Sequence, residues 1–230
     1  MKNIVVIGGT RGVGQEIVAL LQGNHQLYVV SRNPPQSAIA DVRYIQSDIT
    51  GALPDATLFP AMIDGLVYCP GSINLKPFHR ITESELLEDW QVNFLGAVKC
   101  IQQFLPMLQK GSSPSIVLFS TVAVQTGMAF HASIAAAKGA VEGLTRSLAA
   151  ELAPAIRVNC IAPSLTNTSL AAKLLSTIDK TEASAKRHPL QRVGQPGDIA
   201  SMACFLLSEQ ASWMTGQIIH IDGGLSSVKI

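Results

Sequence analysis

Three features of the sequence predict an α/β fold built on a doubly wound parallel sheet. Ile4-Val5-Val6-Ile7 is an unbroken apolar, largely β-branched run, as expected of a strand buried on both faces. It leads directly into a glycine-rich turn and then an amphipathic helix. Strand and helix patterns then alternate to the end of the chain, which calls for right-handed crossovers and helices on both sheet faces. Composition agrees, with 47% hydrophobic and only 14% charged residues. The 230 residues suffice for a single well-buried domain over 1–230, and no stretch reads as a linker.

The first turn, Gly8-Gly9-Thr10-Arg11-Gly12-Val13-Gly14, carries glycines spaced G-x-x-x-G-x-G. Glycines let a backbone turn tightly and approach a pyrophosphate. The free N–H groups of the helix over Gln15–Leu21 would point at such an anion. Gln26–Val30 is the second strand, ending at Ser31-Arg32. An acidic residue there would bind a ribose 2′-hydroxyl, whereas an arginine accommodates a 2′-phosphate. With no acid present and Arg11 available as a second guanidinium, NADP(H) is the expected cofactor.

Further strands are expected at Val42–Ile45, Gly65–Cys69, Ser115–Ser120, Ile156–Ile161 and Gln217–Ile221, seven in all. A long helix is expected from Glu83 to Leu108, with Thr82 as N-cap and Glu85 completing a capping box. Ser133 is the expected N-cap of a helix to Leu152. Pro163 to His188 shows no strand pattern, only a helical patch near Leu170–Leu175; residues 165–188 are expected to form a substrate lid. Pro196 is placed to open a helix containing Ile199 to Leu207.

A net charge of +1 gives no reason to expect nucleic acid or an anionic membrane as partner. Cys69, Cys100, Cys160 and Cys204 lack C-x-x-C spacing, so no metal site or disulfide framework is expected. No apolar run approaches the roughly 20 residues that span a bilayer. These observations point to a cytoplasmic protein acting on a small molecule.

The motifs resemble those of the short-chain dehydrogenase/reductase superfamily along nearly the whole chain. The glycine turn is similar to the family's T-G-x-x-x-G-x-G, with Ile7 in place of Thr. Asp48-Ile49 resembles the pair holding the adenine ring, and Asn93-Phe94-Leu95-Gly96 the N-x-x-G of the fourth helix. Asn159–Pro163 resembles N-x-I-x-P-G with Ser164 for Gly, and Pro189–Ala200 and Thr215–Gly224 resemble the C-terminal signature. The resemblance implies a Rossmann-type domain and a homo-oligomer, with a tetramer expected. It implies nicotinamide-cofactor contacts at Gly8, Thr10, Arg11, Gly12, Val13, Gly14, Ser31, Arg32, Asp48, Ile49, Cys69, Gly71, Lys138 and Thr168.

The likeness breaks at the catalytic motif. The family has Tyr-x-x-x-Lys with Ser thirteen residues before the Tyr; here Lys138 follows Ile134, and the Ser position is Thr121. The family's Asn-Asn-Ala-Gly is Tyr68-Cys69-Pro70-Gly71. Asn93 and Lys138 are kept. Hydride reduction of a carbonyl leaves a developing alkoxide that needs a proton or strong donors, and Ile134 has none to give. His131, seven residues before Lys138, matches the Tyr-x6-Lys spacing of the related enoyl reductases and shares a helical face with positions 134 and 138. It is either the replacement proton donor or a residue of the preceding loop. Thr121, His131, Lys138 and Asn93 form the candidate catalytic set. The expected activity is NADP(H)-dependent oxidoreduction of a carbonyl, alcohol or activated alkene. A silent nucleotide-binding protein and a non-redox isomerase or dehydratase remain open as alternatives.

Overall fold

The computed structural model describes residues 1–229. Seven strands form one parallel sheet: β1 (Asn3–Ile7), β2 (Gln26–Ser31), β3 (Val42–Gln46), β4 (Gly65–Tyr68), β5 (Ser115–Phe119), β6 (Arg157–Pro163) and β7 (Ile218–Ile221). Their order is β3-β2-β1-β4-β5-β6-β7, a Rossmann-like arrangement. Chain order reverses between β1 and β4, so loops leaving those strands diverge and open a crevice at their carboxyl ends.

Alternation along each strand makes two cores. Val5, Ile7, Tyr28, Val30, Leu66, Ile116, Leu118 and Val158 pack beneath α3 (Gly96–Leu108) and α5 (Ala132–Leu152), where Cys100, Phe104 and Leu108 are fully enclosed. Ile4, Val6, Leu27, Val29, Val67, Val117 and Ile161 face the other way. They meet Ile17, Val18 and Leu21 of α1 (Gly12–Leu21) and Ile199, Ala203 and Leu206 of α7 (Pro196–Leu207). The central strands are thus buried on both faces, as the uninterrupted apolar runs require.

The structure departs from the expected elements at several places. The helix from Glu83 is interrupted: α2 (Glu83–Trp90) passes through a π turn over Gln91–Leu95 before α3 begins. The Thr82–Glu85 capping box forms as expected. The N-cap of α5 is His131, not Ser133, because the Ser133 hydroxyl is drawn into a side-chain network instead. Strand β6 extends two residues further, to Pro163. The patch at Leu170–Leu175 gives only a 3₁₀ turn at Ser169–Ala171, while an unforeseen helix, α6, occupies Ile178–Ala185 behind a Thr177 cap. A short helix, α4 (Ala123–Thr126), also follows β5. Among the described residues, no helix is long and apolar enough to cross a membrane, and no group of His, Cys, Asp and Glu could hold a metal.

Candidate active site

A cavity of about 670 Å³ occupies the crevice at the β1–β4 switch. It runs from the ends of β2 and β3 on one side to the ends of β5 and β6 on the other. This is the place and size that a doubly wound sheet offers a dinucleotide and a small substrate.

The β2–β3 end is built around the glycine turn. Gly8 and Gly12 adopt φ of +80° and +54°, which residues bearing a Cβ rarely enter. A Cβ on Gly14 would collide with the Gly8 carbonyl oxygen, so α1 can start this close to β1 only with glycine there. No side chain caps α1, leaving its first N–H groups free beside the cavity. Thr10 and Ser31 share a hydrogen bond of 2.7 Å that ties the turn to the end of β2. Arg11 and Arg32 line this end, both exposed, and neither forms an ion pair among the described residues. Asp48 accepts from the Thr50 backbone N–H at 3.0 Å and hydroxyl at 2.7 Å, bonds that hold its carboxyl below the usual range. Ile49, Val13, Cys69 and Gly71 complete this wall, and Thr168 reaches it from the far loop, its Cγ2 lying 3.3 Å from where a Gly12 Cβ would stand. These groups fit a dinucleotide: orphaned helix N–H groups for the pyrophosphate, unpaired guanidiniums for a further phosphate, and a carboxylate beyond.

At the β5–β6 end, Lys138 is 7% exposed and donates to the Phe119 carbonyl at 2.9 Å. Burial pushes its ammonium down to about 8. A Cβ on Gly71 would lie 3.7 Å from Lys138 Nζ and 3.3 Å from Asn93 Oδ1, so the β4 loop is pressed against both. Thr121 lines the cavity half-buried; its Oγ1 accepts from the Ala123 N–H at 3.3 Å and keeps its own proton free to donate. Ile134 is buried and apolar on the same wall. His131 lines the cavity from the N-cap of α5, with Nδ1 held by the Ala129 carbonyl at 2.7 Å. A carbonyl only accepts, so Nδ1 donates to it and Nε2 is the ring nitrogen left toward the cavity.

Asn93, expected in the catalytic set, does not line the cavity. It is fully enclosed in the π turn, where its amide donates to Ser72 Oγ and to the Asp89 carbonyl, each at 2.8 Å. Both its amide protons are committed, and with the Ser72 N–H on its Oδ1 at 3.4 Å they tie the β4 loop to α2. Asp89, 2% exposed, accepts from the hydroxyls of Ser72 and Ser133, both at 2.5 Å, and so links α2, the β4 loop and α5. The motif reading missed this network. Its one signal was Asp89 standing four residues before Asn93, on the same helix face.

Burial pushes the Cys69 thiol up to about 12, which removes it as a nucleophile. Tyr68 donates to the Val92 carbonyl at 2.5 Å and burial pushes its phenol strongly upward, so it is a packing residue. Ser164, at the position of the glycine in N-x-I-x-P-G, and His188, at the end of the 165–188 segment, also line the cavity.

Known proteins share both sequence and geometry. A family model described as enoyl-(acyl carrier protein) reductase matches residues 47–226. A tropinone reductase homolog of Arabidopsis thaliana is 31% identical over 98% of this chain and 92% of its own length. The ligand-free aldohexose dehydrogenase of Thermoplasma acidophilum superposes with a TM-score of 0.90 at 27% identity, covering 100% of this chain and 96% of that one. The RhlG/NADP active-site complex of Pseudomonas aeruginosa gives 0.88 at 26% identity, covering 98% and 96%. The glycine turn at the β1–β4 switch, the buried Lys138 and the matched family model agree: the chain belongs to the short-chain dehydrogenase/reductase superfamily of oxidoreductases.

Proposed function

We propose that this protein is an NADP(H)-dependent reductase of a small carbonyl compound, or the reverse alcohol dehydrogenase, in which His131 stands in for the family's tyrosine. The observation that carries this reading is one cavity shared by the glycine turn with its unpaired Arg11 and Arg32, by buried Lys138, and by Thr121 and His131. The nicotinamide, when bound, supplies or accepts the hydride. Lys138 holds the ribose beside it, and Arg11, Ser31 and Arg32 hold the 2′-phosphate. The Thr121 hydroxyl donates to the substrate oxygen and fixes its position. Protonated His131 gives up its Nε2 proton as negative charge develops on that oxygen; Nδ1–H stays on the Ala129 carbonyl throughout. A nucleotide-bearing relative, the RhlG/NADP complex, supports the cofactor assignment. The remaining walls, Ile73, Leu75, Met128, Ile134, Leu170 and Leu174, favour a substrate with an apolar body. The segment 165–188 covers this end as a lid. We further place the protein in the cytoplasm, as a homotetramer.

Fluorescence titration with NADPH and NADH tests the cofactor. Two charge-assisted bonds at about 1.5–3 kcal/mol each predict a preference for NADPH of at least about tenfold, even if only partly realised. The preference should shrink in Arg11→Ala and Arg32→Ala. Equal or tighter NADH binding would refute it. One observation favours a second reading, a nucleotide-binding protein without turnover: Ile134 places an apolar side chain on the wall beside Lys138. NADPH binding with no oxidation across a panel of ketones, aldehydes and enones would select it.

A further inference from the structure

Ser164 and His188 form a hydrogen-bonded pair on the cavity wall, apart from His131. Ser164 Oγ and His188 Nε2 are 2.8 Å apart, and His188 Nδ1 lies 2.8 Å from the Ser184 carbonyl. His188 is 3% exposed, and its own backbone is tied into the turn that follows α6. Because the Ser184 carbonyl can only accept, Nδ1 must carry the proton. In the neutral imidazole Nε2 is then a lone pair, and the Ser164 hydroxyl donates to it.

That orientation has a chemical consequence. With its proton spent on His188, Ser164 Oγ presents only lone pairs to the cavity. It is also rigidly placed: its N–H donates to the Ile221 carbonyl at 3.3 Å, and its own carbonyl accepts from the Thr166 hydroxyl at 3.0 Å. The Val122 N–H donates to the Pro163 carbonyl at 3.1 Å, which ties the chain leaving β5, just past Thr121, to the chain leaving β6, just before Ser164. The end of the cavity formed by β5 and β6 therefore carries both a hydroxyl donor, Thr121, and a hydroxyl acceptor, Ser164.

We propose that Ser164, oriented by His188, is a specificity-determining contact that selects substrates bearing a hydroxyl group on the carbon next to the carbonyl. Thr121 donates to the carbonyl oxygen, and Ser164 accepts from the neighbouring hydroxyl. His188 is a positioning residue that keeps Ser164 an acceptor. This rests on the carbonyl-reductase reading above and adds the substrate class.

The test compares 1-hydroxy-2-butanone with 3-pentanone, which differ only by a hydroxyl in place of a methyl group. Dissociation constants are measured by ligand-observed NMR at pH 8, on the free and the NADP⁺-loaded protein. The wild type should bind the hydroxy ketone roughly 3- to 10-fold more tightly, the worth of one neutral hydrogen bond. Ser164→Ala and Ser164→Gly should bring the ratio to about one. His188→Phe, which cannot accept the serine proton, should lower the ratio, and His188→Gln, which still can, should keep most of it. Unchanged NADPH titrations and melting curves identify folded variants. A wild type without preference, a preference surviving Ser164→Ala, or binding of neither ketone to a protein that binds NADPH would overturn the proposal. Failure to bind NADPH would instead overturn the cofactor reading, while the ketone ratio on the free protein still judges Ser164.

Discussion

At the scale of single residues, the site works by committing some polar atoms and leaving others free. Asn93 and Asp89 spend their groups on one another's neighbourhood, whereas the Thr121 proton and His131 Nε2 have no partner among the described residues. His131→Ala should therefore lower kcat by about 10²- to 10⁴-fold, the usual worth of general acid catalysis, with NADPH affinity unchanged. Steady-state kinetics beside a cofactor titration checks both halves; unchanged turnover would pass the proton's role to water or Thr121. Lys138 gives a pH signature. Its ammonium, pushed down to about 8, loses its proton above that pH and with it the charge that, on the proposed function, would grip a ribose hydroxyl. NADPH binding should weaken by roughly 3- to 10-fold between pH 7 and pH 9.5. Lys138→Met should bind more weakly at pH 7 and show a flatter profile over that window.

At the scale of elements, the π turn between α2 and α3 is the part most exposed to disruption. It delivers Asn93 to the β4 loop, and Gly96 at its end is held against Tyr68 and Ile49. A Cβ on Gly96 would collide with the Tyr68 hydroxyl and lie 2.7 Å from Ile49 Cδ1. Gly96→Ala should destabilise the protein by about 1–3 kcal/mol, the usual cost of overpacking, and lower activity by displacing Asn93. Tyr68→Phe removes the oxygen that the new methyl meets. Added to Gly96→Ala, it should cost less than the sum of the two single changes in urea denaturation, a coupling that independent sites would not show.

At the scale of the molecule, α5 has one face on the sheet and another left open. Ala136, Gly143, Ser147 and Ala150 are exposed, and a Cβ on Gly143 would meet nothing within 4 Å of its own chain. Glycine costs a helix interior about 1 kcal/mol relative to alanine, and no contact within the subunit accounts for it here. A tightly packed neighbouring subunit would. Gly143→Trp should then convert the tetramer to smaller species in size-exclusion chromatography with light scattering, with the melting behaviour of the separated subunit retained. A wild-type monomer at micromolar concentration would refute the assembly.

The sheet, its glycine turn and the family were legible because they rest on local pattern. Ile4–Ile7 reads as a strand buried on both faces, Gly8 and Gly12 take positive φ that residues with a Cβ rarely adopt, and Gly14 sits where a Cβ would strike the Gly8 carbonyl. Arg11, Ser31 and Arg32 could be placed because turns follow strands at short, regular distances. The other end of the cavity was decided by contacts between residues far apart in sequence. Ser133 was expected to cap α5 but bonds to Asp89, 44 positions away. Asn93 was expected at the reacting centre and is sealed behind it. Ser164 and His188 meet across 24 positions only because α6, unseen in the sequence pattern, turns the chain back onto the end of β6. Helical and strand periodicities are properties of neighbouring residues, so they could specify the scaffold. Which hydroxyl faces which acceptor depends on how distant loops pack, and that was settled only by the tertiary fold.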